Sequence, residues 1–158
     1  MTDPAGGDLG PPQAVSVQVV DGKSDVLVLD DSWRWEFKYF RRLLEDAPNF
    51  HMTALLARGG GAFAQFAEPE RRAGLVGFPH GAGALVPFDV FVLGDVDPRC
   101  WPRGLAAGFR DQVSENGKSL VVLAGPNLAH WDAAPGLLDL LPVEINKDTA
   151  DQIGRAHV

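Results

Sequence analysis

The chain has 158 residues, of which 46% are hydrophobic and 22% are charged, and its formal net charge at pH 7 is −7. This size and composition suffice for one hydrophobic core, which excludes a disulfide-stapled miniprotein. A lone cysteine, Cys100, excludes an intrachain disulfide. The acidic balance lacks the basic stripe of a nucleic-acid-binding protein. Apolar runs far shorter than ~20 residues exclude a membrane-spanning helix, so we expect no membrane insertion by this chain.

The first part of the chain is predicted to lie outside the folded domain. Residues 1–12 are rich in Gly, Pro and Asp and hold few apolar side chains, so we expect a disordered tail. Residues 13–24 contain AVSVQVV, whose alternation of apolar and polar positions predicts a strand or linker from a preceding region.

Short, β-branched apolar runs closed by Asp or Gly predict buried strands of a parallel sheet. They are VLVLD (26–30), VFVLGD (90–95) and LVVLAG (120–125), and FHMTALLA (50–57) predicts a further strand.

Helical periodicity lies between these runs, in residues 35–45 and again after Pro102. Strands that alternate with helices predict an α/β, flavodoxin-like, doubly wound sheet that is mainly parallel. Numbered along the chain, the four strands are expected in the order 2-1-3-4, with a fifth strand partial or missing. Residues 58–88 are Gly-rich without a sustained period, which predicts a long loop.

Four segments stand in a recognisable order: VLVLDDSWRWEFKYFRRLLE, GFP…FDVFVLGDVDP, FRDQVSENGKSLVVLAGPN and LLPVEI. Their most distinctive parts are the Arg34-Trp35-Glu36 turn and the turn that begins at Gly94 and ends at Pro98. In this order they resemble one group of class I glutamine amidotransferase-like domains, over roughly residues 25–145. That group is embedded in large bacterial membrane proteins, often with von Willebrand A-type modules, and ThuA-like proteins are looser relatives. The resemblance implies a flavodoxin-like domain over residues 25–152.

Active members of this superfamily carry a cysteine on a sharp strand-to-helix turn, where backbone N–H groups stabilise the oxyanion. The corresponding turn here reads Ala124-Gly125-Pro126-Asn127 and offers no Cys, Ser or Thr. Cys100 follows a different strand, in a Pro-flanked loop, and is interpreted as an ordinary thiol. We therefore expect no catalytic residues, no cofactor and no covalent glutaminase mechanism.

The last six residues, 153–158, read IGRAHV. This hexapeptide is the translation of ATC-GGA-AGA-GCA-CAC-GTC, a common sequencing-adapter string. We expect it to be a non-biological tail, which would leave the domain truncated at its C-terminus and would remove His157 from any site.

Ligands of a doubly wound sheet bind outside the carboxyl ends of its strands. The side chains expected there are acidic, aromatic and amide groups, and the candidate ligand-binding residues are Asp31, Trp33, Arg34, Trp35, Glu36, Asp95, Asp97, Asn127, His130 and Trp131. Such a rim can stack a sugar or a planar ligand. In the alternative, its rings cap the sheet and pack against the long loop or a neighbouring module. Arg34 is expected to be held by carboxylates, with Glu36 and Asp95 as its partners.

Metal and phosphate sites are not expected. Asp30-Asp31 with Asp95 or Asp97 are similar to the Mg²⁺ carboxylates of receiver domains. Gly125-Pro126, however, stands where those domains carry a hydroxyl residue. The strand ends also suit Asp as a turn former and helix cap. His51, His80 and Cys100 are not at zinc-ligand spacing, and the triple glycine at 59–61 lacks the Lys of a phosphate loop.

The sequence therefore favours a non-catalytic, glutamine amidotransferase-like binding or assembly module of a larger envelope-associated bacterial protein. Its expected partners are other modules of that protein or envelope proteins, together with a small-molecule or sugar ligand. The alternative is a hydrolase or a ThuA-like sugar-processing domain that uses the acidic and aromatic edge. The sequence leaves the cellular compartment undecided. We expect the domain itself to be a soluble part of a membrane-anchored parent protein.

Overall fold

A computed structural model describes residues 22–32, 34–59, 62–67 and 78–145. The predicted tail, the predicted strand at 14–20, Trp33 and the adapter-like residues 153–158 lie outside the described residues.

The described chain forms one five-stranded sheet with the strand order β3-β2-β1-β4-β5. The strands are β1 (Ser24–Asp30), β2 (Phe50–Gly59), β3 (Ala62–Ala67), β4 (Val90–Leu93) and β5 (Ser119–Val122). β1 pairs in parallel with β2 on one side and with β4 on the other, and β4 pairs in parallel with β5. The α/β class and the mainly parallel sheet predicted from the sequence are therefore confirmed.

The helices are α1 (Trp35–Asp46), α2 (Leu105–Ser114) and the short α3 (Pro135–Leu138). In the part of the chain that the structure describes, 3-10 segments lie at Ala82–Leu85, Pro98–Cys100 and Pro126–Ala133. In α1, Phe37 and Leu44 are the buried residues, as their helical spacing requires, while charged side chains occupy much of the rest of the helix. In α2, Leu105 and Phe109 are buried four residues apart.

The sheet has a hydrophobic core on each face, because successive side chains of a buried strand point to opposite sides. In β1, Leu27 and Leu29 pack with α2 and α3, whereas Val26 and Val28 pack with α1. The ring of Phe91 meets that of Phe109 edge-on, with centroids 5.0 Å apart. Helix cover on both faces explains why the strands read as continuous apolar runs.

The expected long loop over residues 58–88 is wrong in one part. Residues Ala62–Ala67 form β3, which pairs antiparallel with β2 and extends the sheet at its edge. The strand AFAQFA is half alanine and follows three glycines, so it lacks the β-branched run that marks β1, β4 and β5.

The four parallel strands are neighbours in the order β2-β1-β4-β5, with β3 outside β2. The five-strand order is thus not the flavodoxin-like 2-1-3-4-5, because the additional strand is a hairpin partner of β2. The flavodoxin-like assignment stays a prediction. Within the part of the chain that the structure describes, no helix combines the length and apolar character needed to cross a bilayer.

Candidate functional site

The carboxyl edge, where β1, β4 and β5 end, is organised around Asp30. Its side chain is only 4% exposed and is one of the few buried charged groups among the described residues. The carboxylate accepts hydrogen bonds from the backbone N–H and the hydroxyl of Ser32, at 3.1 and 3.2 Å, and from the backbone N–H of Asp95 at 3.1 Å. Asp30 therefore joins the loop after β1 to the loop after β4.

Arg34 links the same carboxylate to the turn after β5. Its Nη2 lies 3.1 Å from Asp30 Oδ2, and the guanidinium also donates to the carbonyl oxygens of Leu123 and Ala124, at 3.3 and 3.4 Å. The expectation that a carboxylate holds Arg34 is confirmed, but the expected partners, Glu36 and Asp95, are wrong. Asp30 is the last residue of β1, four residues before Arg34, whereas Glu36 is exposed on α1.

Asp95 joins the loop after β4 to the loop after β5. Its side chain accepts a 2.7 Å hydrogen bond from the backbone N–H of Asn127, and the Asn127 amide donates to the Asp95 carbonyl at 3.1 Å. Burial raises the pKa of Asp95 and the nearby Asp30 carboxylate adds to this, while the Asn127 hydrogen bond, Arg34 and His130 lower it. Asn127 is thus engaged by the protein itself.

Two glycines allow this close approach. A Cβ atom on Gly94 would lie 2.3 Å from Asp30 Oδ2, and one on Gly125 would lie 2.4 Å from Asp95 Cγ. Real Cβ contacts do not come this close, so neither position has room for a side chain. Gly125 has extended backbone (φ −149°) that any residue can adopt, which makes the need for glycine there steric.

Asp31 and Asp97 lie on the neighbouring part of the edge. Asp31 Oδ2 accepts a 2.7 Å hydrogen bond from the backbone N–H of Asp97. Burial raises the pKa of Asp31, with further increases from Asp30, Asp97 and Asp95, against the lowering effect of that hydrogen bond.

Asp97 behaves in the opposite way. Its carboxylate is held by Arg99, with Nη2 to Oδ2 at 2.6 Å. This hydrogen bond is the main reason why the pKa of Asp97 lies below its usual value. His130 Nδ1 lies 3.8 Å from Asp97 Oδ2, and His130 also lowers the pKa of Asp97.

Among the described residues, the tryptophans do not form one rim. Trp131 is 1% exposed and donates its indole N–H to the Val96 carbonyl at 3.1 Å, so its ring is part of the core. Trp35 is 73% exposed at the start of α1, where Lys38 Nζ lies 5.7 Å from the ring. The placement of Trp131 matches the alternative in which rings cap the end of the sheet. A ligand role for the ten candidate residues stays a prediction.

A cavity of about 460 Å³, the aromatic cavity, lies beside this edge. Its lining is aromatic with a few polar groups: Asp31, Phe63, Phe78, His80, Cys100, Trp101 and Pro102. Among these, sequence reasoning proposed only Asp31 as a ligand-binding residue. The available signal was the set of aromatic residues in Gly- and Pro-rich segments, which helical or strand periodicity does not explain.

Cys100 and His80 line this cavity, yet their surroundings differ from those of a nucleophile and its base. In the described chain, no hydrogen bond joins the Cys100 thiol to His80. The backbone N–H groups of Cys100 and Trp101 donate to the carbonyls of Asp97 and Pro98, both at 3.1 Å. Neither N–H is free to stabilise an oxyanion.

The described residues contain no group of three or more His, Cys, Asp or Glu side chains arranged to hold a metal ion. At the carboxyl edge the acidic groups are instead bound by Arg34, Arg99 and backbone N–H groups.

The arrangement can therefore do two things: it locks three loops together through Asp30, Arg34 and Asp95, and it leaves an aromatic cavity beside them. Comparison of the chain with protein-family models, with curated proteins and with solved structures finds no match.

Proposed function

We propose that this chain is a non-catalytic, glutamine amidotransferase-like module that acts in binding or assembly within a larger envelope-associated bacterial protein. The observation that carries the proposal is the packing of the turn after β5. A side chain at Gly125 would overlap Asp95, whose Cγ lies 2.4 Å from the Cβ position. The turn thus has no nucleophile, and its Gly125 position has no space for one, whereas covalent glutamine hydrolysis requires both.

The hydrogen bonds around this turn support the same conclusion. Arg34 donates hydrogen bonds to the carbonyl oxygens of Leu123 and Ala124, and the backbone N–H of Asn127 donates to the Asp95 carboxylate. A catalytic turn keeps N–H donors available for a developing oxyanion. Here a donor of the turn is consumed by a neighbouring carboxylate.

The parallel strands support a flavodoxin-like domain of this group. β2, β1, β4 and β5 are adjacent in that order, with helices on both faces. The antiparallel β3 is then an addition at the outer edge of β2.

An exposed apolar surface supports a role in assembly. Trp35, Tyr39 and Leu43 recur every four residues along α1 and are 73%, 68% and 66% exposed. On the edge strand β5, Val121 is 42% exposed. Apolar side chains grouped on one helix, together with a strand at the edge of the described sheet, are typical of surfaces that contact another protein unit.

One observation favours the alternative, a hydrolase or a ThuA-like sugar-processing domain. The lining of the aromatic cavity includes Cys100, His80 and Asp31, which are the residue types of a cysteine hydrolase. In the described part of the chain, no hydrogen bond joins the thiol to the imidazole, and the N–H groups of Cys100 and Trp101 are already bonded, which argues for binding rather than reaction at this cavity.

Ammonia release from glutamine tests the proposal. The purified chain should release no ammonia above the buffer blank, alongside an active glutamine amidotransferase as positive control. Release that disappears in Cys100→Ala would overturn the proposal in favour of the hydrolase. Release that survives Cys100→Ala would also overturn it, because another nucleophile would then be at work.

A further inference from the structure

The aromatic cavity has the size and place of a ligand site. Its volume of about 460 Å³ falls within the range of cavities that take small organic molecules. Asp31 directly follows β1, and Cys100 and Trp101 follow β4, so the cavity lies at the carboxyl ends of neighbouring strands. This is where open α/β sheets bind ligands.

Three rings give the cavity its chemical character. The centroids of Phe63 and Phe78 are 4.9 Å apart, and those of Phe78 and Trp101 are 6.1 Å apart. Phe109 packs behind Trp101 at 5.5 Å and supports that ring from the core. Grouped aromatic faces carry partial negative charge, so they attract a cation as well as a flat apolar body.

Asp31 adds a carboxylate to the lining of the same cavity. One of its oxygens accepts the N–H of Asp97, and in the described part of the chain no hydrogen bond reaches its other oxygen. The nearby arginines are already used, since Arg34 binds Asp30 and Arg99 binds Asp97. The carboxylate at the cavity therefore has no cation of the described protein to balance it.

We propose that the aromatic cavity binds an organic ammonium ion with a flat apolar body. The Asp31 carboxylate pairs with the ammonium group, and Phe63, Phe78 and Trp101 contact the body. An anionic ligand would meet the unbalanced carboxylate of Asp31 and be repelled. A neutral sugar would leave the charge of Asp31 unbalanced.

The electrostatics of Asp31 agree with this assignment. Burial and three neighbouring carboxylates raise its pKa, so an added positive charge would relieve an existing repulsion. Binding should weaken in acid, as Asp31 takes up its proton.

This inference rests on the proposed binding role, because it treats the cavity as a binding site. The two fail separately. A chain that releases no ammonia and binds no ammonium probe refutes the inference alone. A chain that binds the probe and hydrolyses glutamine refutes the proposed function alone.

Protection of Cys100 from alkylation gives a readout located at the cavity. Cys100 is the chain's single cysteine, it is exposed, and it lines this cavity. The probes are 2-phenylethylammonium, its neutral counterpart 2-phenylethanol and the anion 3-phenylpropanoate, each titrated against the rate of reaction with iodoacetamide. The ammonium should slow alkylation saturably, with a Kd on the order of 1 mM for so small a ligand. The alcohol and the anion should bind at least about tenfold more weakly.

The variant Asp31→Asn removes the charge and keeps an oxygen for the Asp97 N–H, so the fold should be preserved. It should weaken the ammonium probe about tenfold and leave 2-phenylethanol unchanged. Asp46→Asn is the matched control, because Asp46 is 74% exposed at the far end of α1. This control should bind all probes as the parent chain does.

Three results would overturn the inference. The first is equal protection by the ammonium and the alcohol, and the second is an unchanged ammonium affinity in Asp31→Asn. The third is absence of protection by all three probes at millimolar concentration. Protection by glucose but not by the ammonium would instead support the sugar-binding alternative.

Discussion

Asp30 and Asp31 are adjacent in the chain and have opposite surroundings. Asp30 is 4% exposed and receives hydrogen bonds from Ser32, Arg34 and the N–H of Asp95. Asp31 receives the N–H of Asp97 and borders the aromatic cavity. At the end of β1 the alternation of side chains still operates, so the first carboxylate points to the α1 face and the second to the α2 face.

The end of β1 therefore supplies one carboxylate, Asp30, that holds neighbouring loops together and a second, Asp31, that lines the aromatic cavity. On the α1 face, Arg34 balances the charge of Asp30 and links it to the turn after β5. On the α2 face, aromatic side chains lie beside Asp31, and they offer no such partner. Neighbouring residues of the same type can therefore have unrelated roles.

The largest expected effect on stability is at Asp30, whose hydrogen bonds hold the loops of the carboxyl edge together. Asp30→Ala should lower the free energy of unfolding by about 3 kcal/mol, because it leaves the Arg34 guanidinium and the Asp95 N–H without their partner. Asp31→Ala removes one backbone hydrogen bond and should cost about 1 kcal/mol. Urea unfolding measures both. Equal losses in the two variants would show that the contrast between Asp30 and Asp31 is not energetic.

Asp46→Ala is the surface control for this pair. Asp46 is 74% exposed and stands 3.7 Å from Arg42, so its loss should change the free energy of unfolding by less than about 0.5 kcal/mol.

Most of the sheet could be predicted from the sequence, because buried parallel strands give continuous apolar runs that stand out. The four predicted strands are all present, at β1, β2, β4 and β5. The hairpin strand β3 was missed, since AFAQFA has neither β-branched residues nor strict alternation. Its position follows from pairing with β2, which is a tertiary contact.

The candidate site was predictable only as an edge. Acidic and aromatic residues after the strands indicated where polar groups gather, and a carboxylate partner for Arg34 was expected. Arg34 pairs with Asp30 because the turn brings the Asp30 carboxylate within reach of the guanidinium. Residue spacing in the sequence does not predict this. The aromatic cavity was missed because Phe63, Phe78 and Trp101 come from three separate segments.

A smaller effect is expected where the lock excludes side chains. Gly125→Ala should lower the free energy of unfolding by about 1–3 kcal/mol, because its Cβ would overlap Asp95 Cγ, which is held by the Asn127 N–H. Gly83→Ala is the matched control, since nothing lies within 4 Å of its Cβ position. That variant should be neutral or slightly more stable. A Gly125→Ala protein as stable as its parent would mean that the turn can open, and a side chain could then fit there.

The smallest expected effect is a change in how stability depends on pH, and it separates Asp95 from Asp97. Burial raises the pKa of Asp95 above its ordinary 3.8, so the folded state holds its proton more tightly than the unfolded state does. The stabilisation from this group is complete below pH 3.8 and is lost as the pH rises through the raised pKa. Asp95→Asn should therefore remove a decline in stability with rising pH over that window.

Asp97 should act with the opposite sign. Arg99 lowers the pKa of Asp97, so its stabilisation is present above pH 3.8 and is lost as the pH falls through the lowered value. Asp97→Asn should flatten the acid side of the profile and leave the window above pH 3.8 unchanged. Unfolding midpoints in urea across a pH series measure both slopes. If the two variants changed the profile in the same direction, the carboxylates of Asp95 and Asp97 would not differ in their electrostatic surroundings.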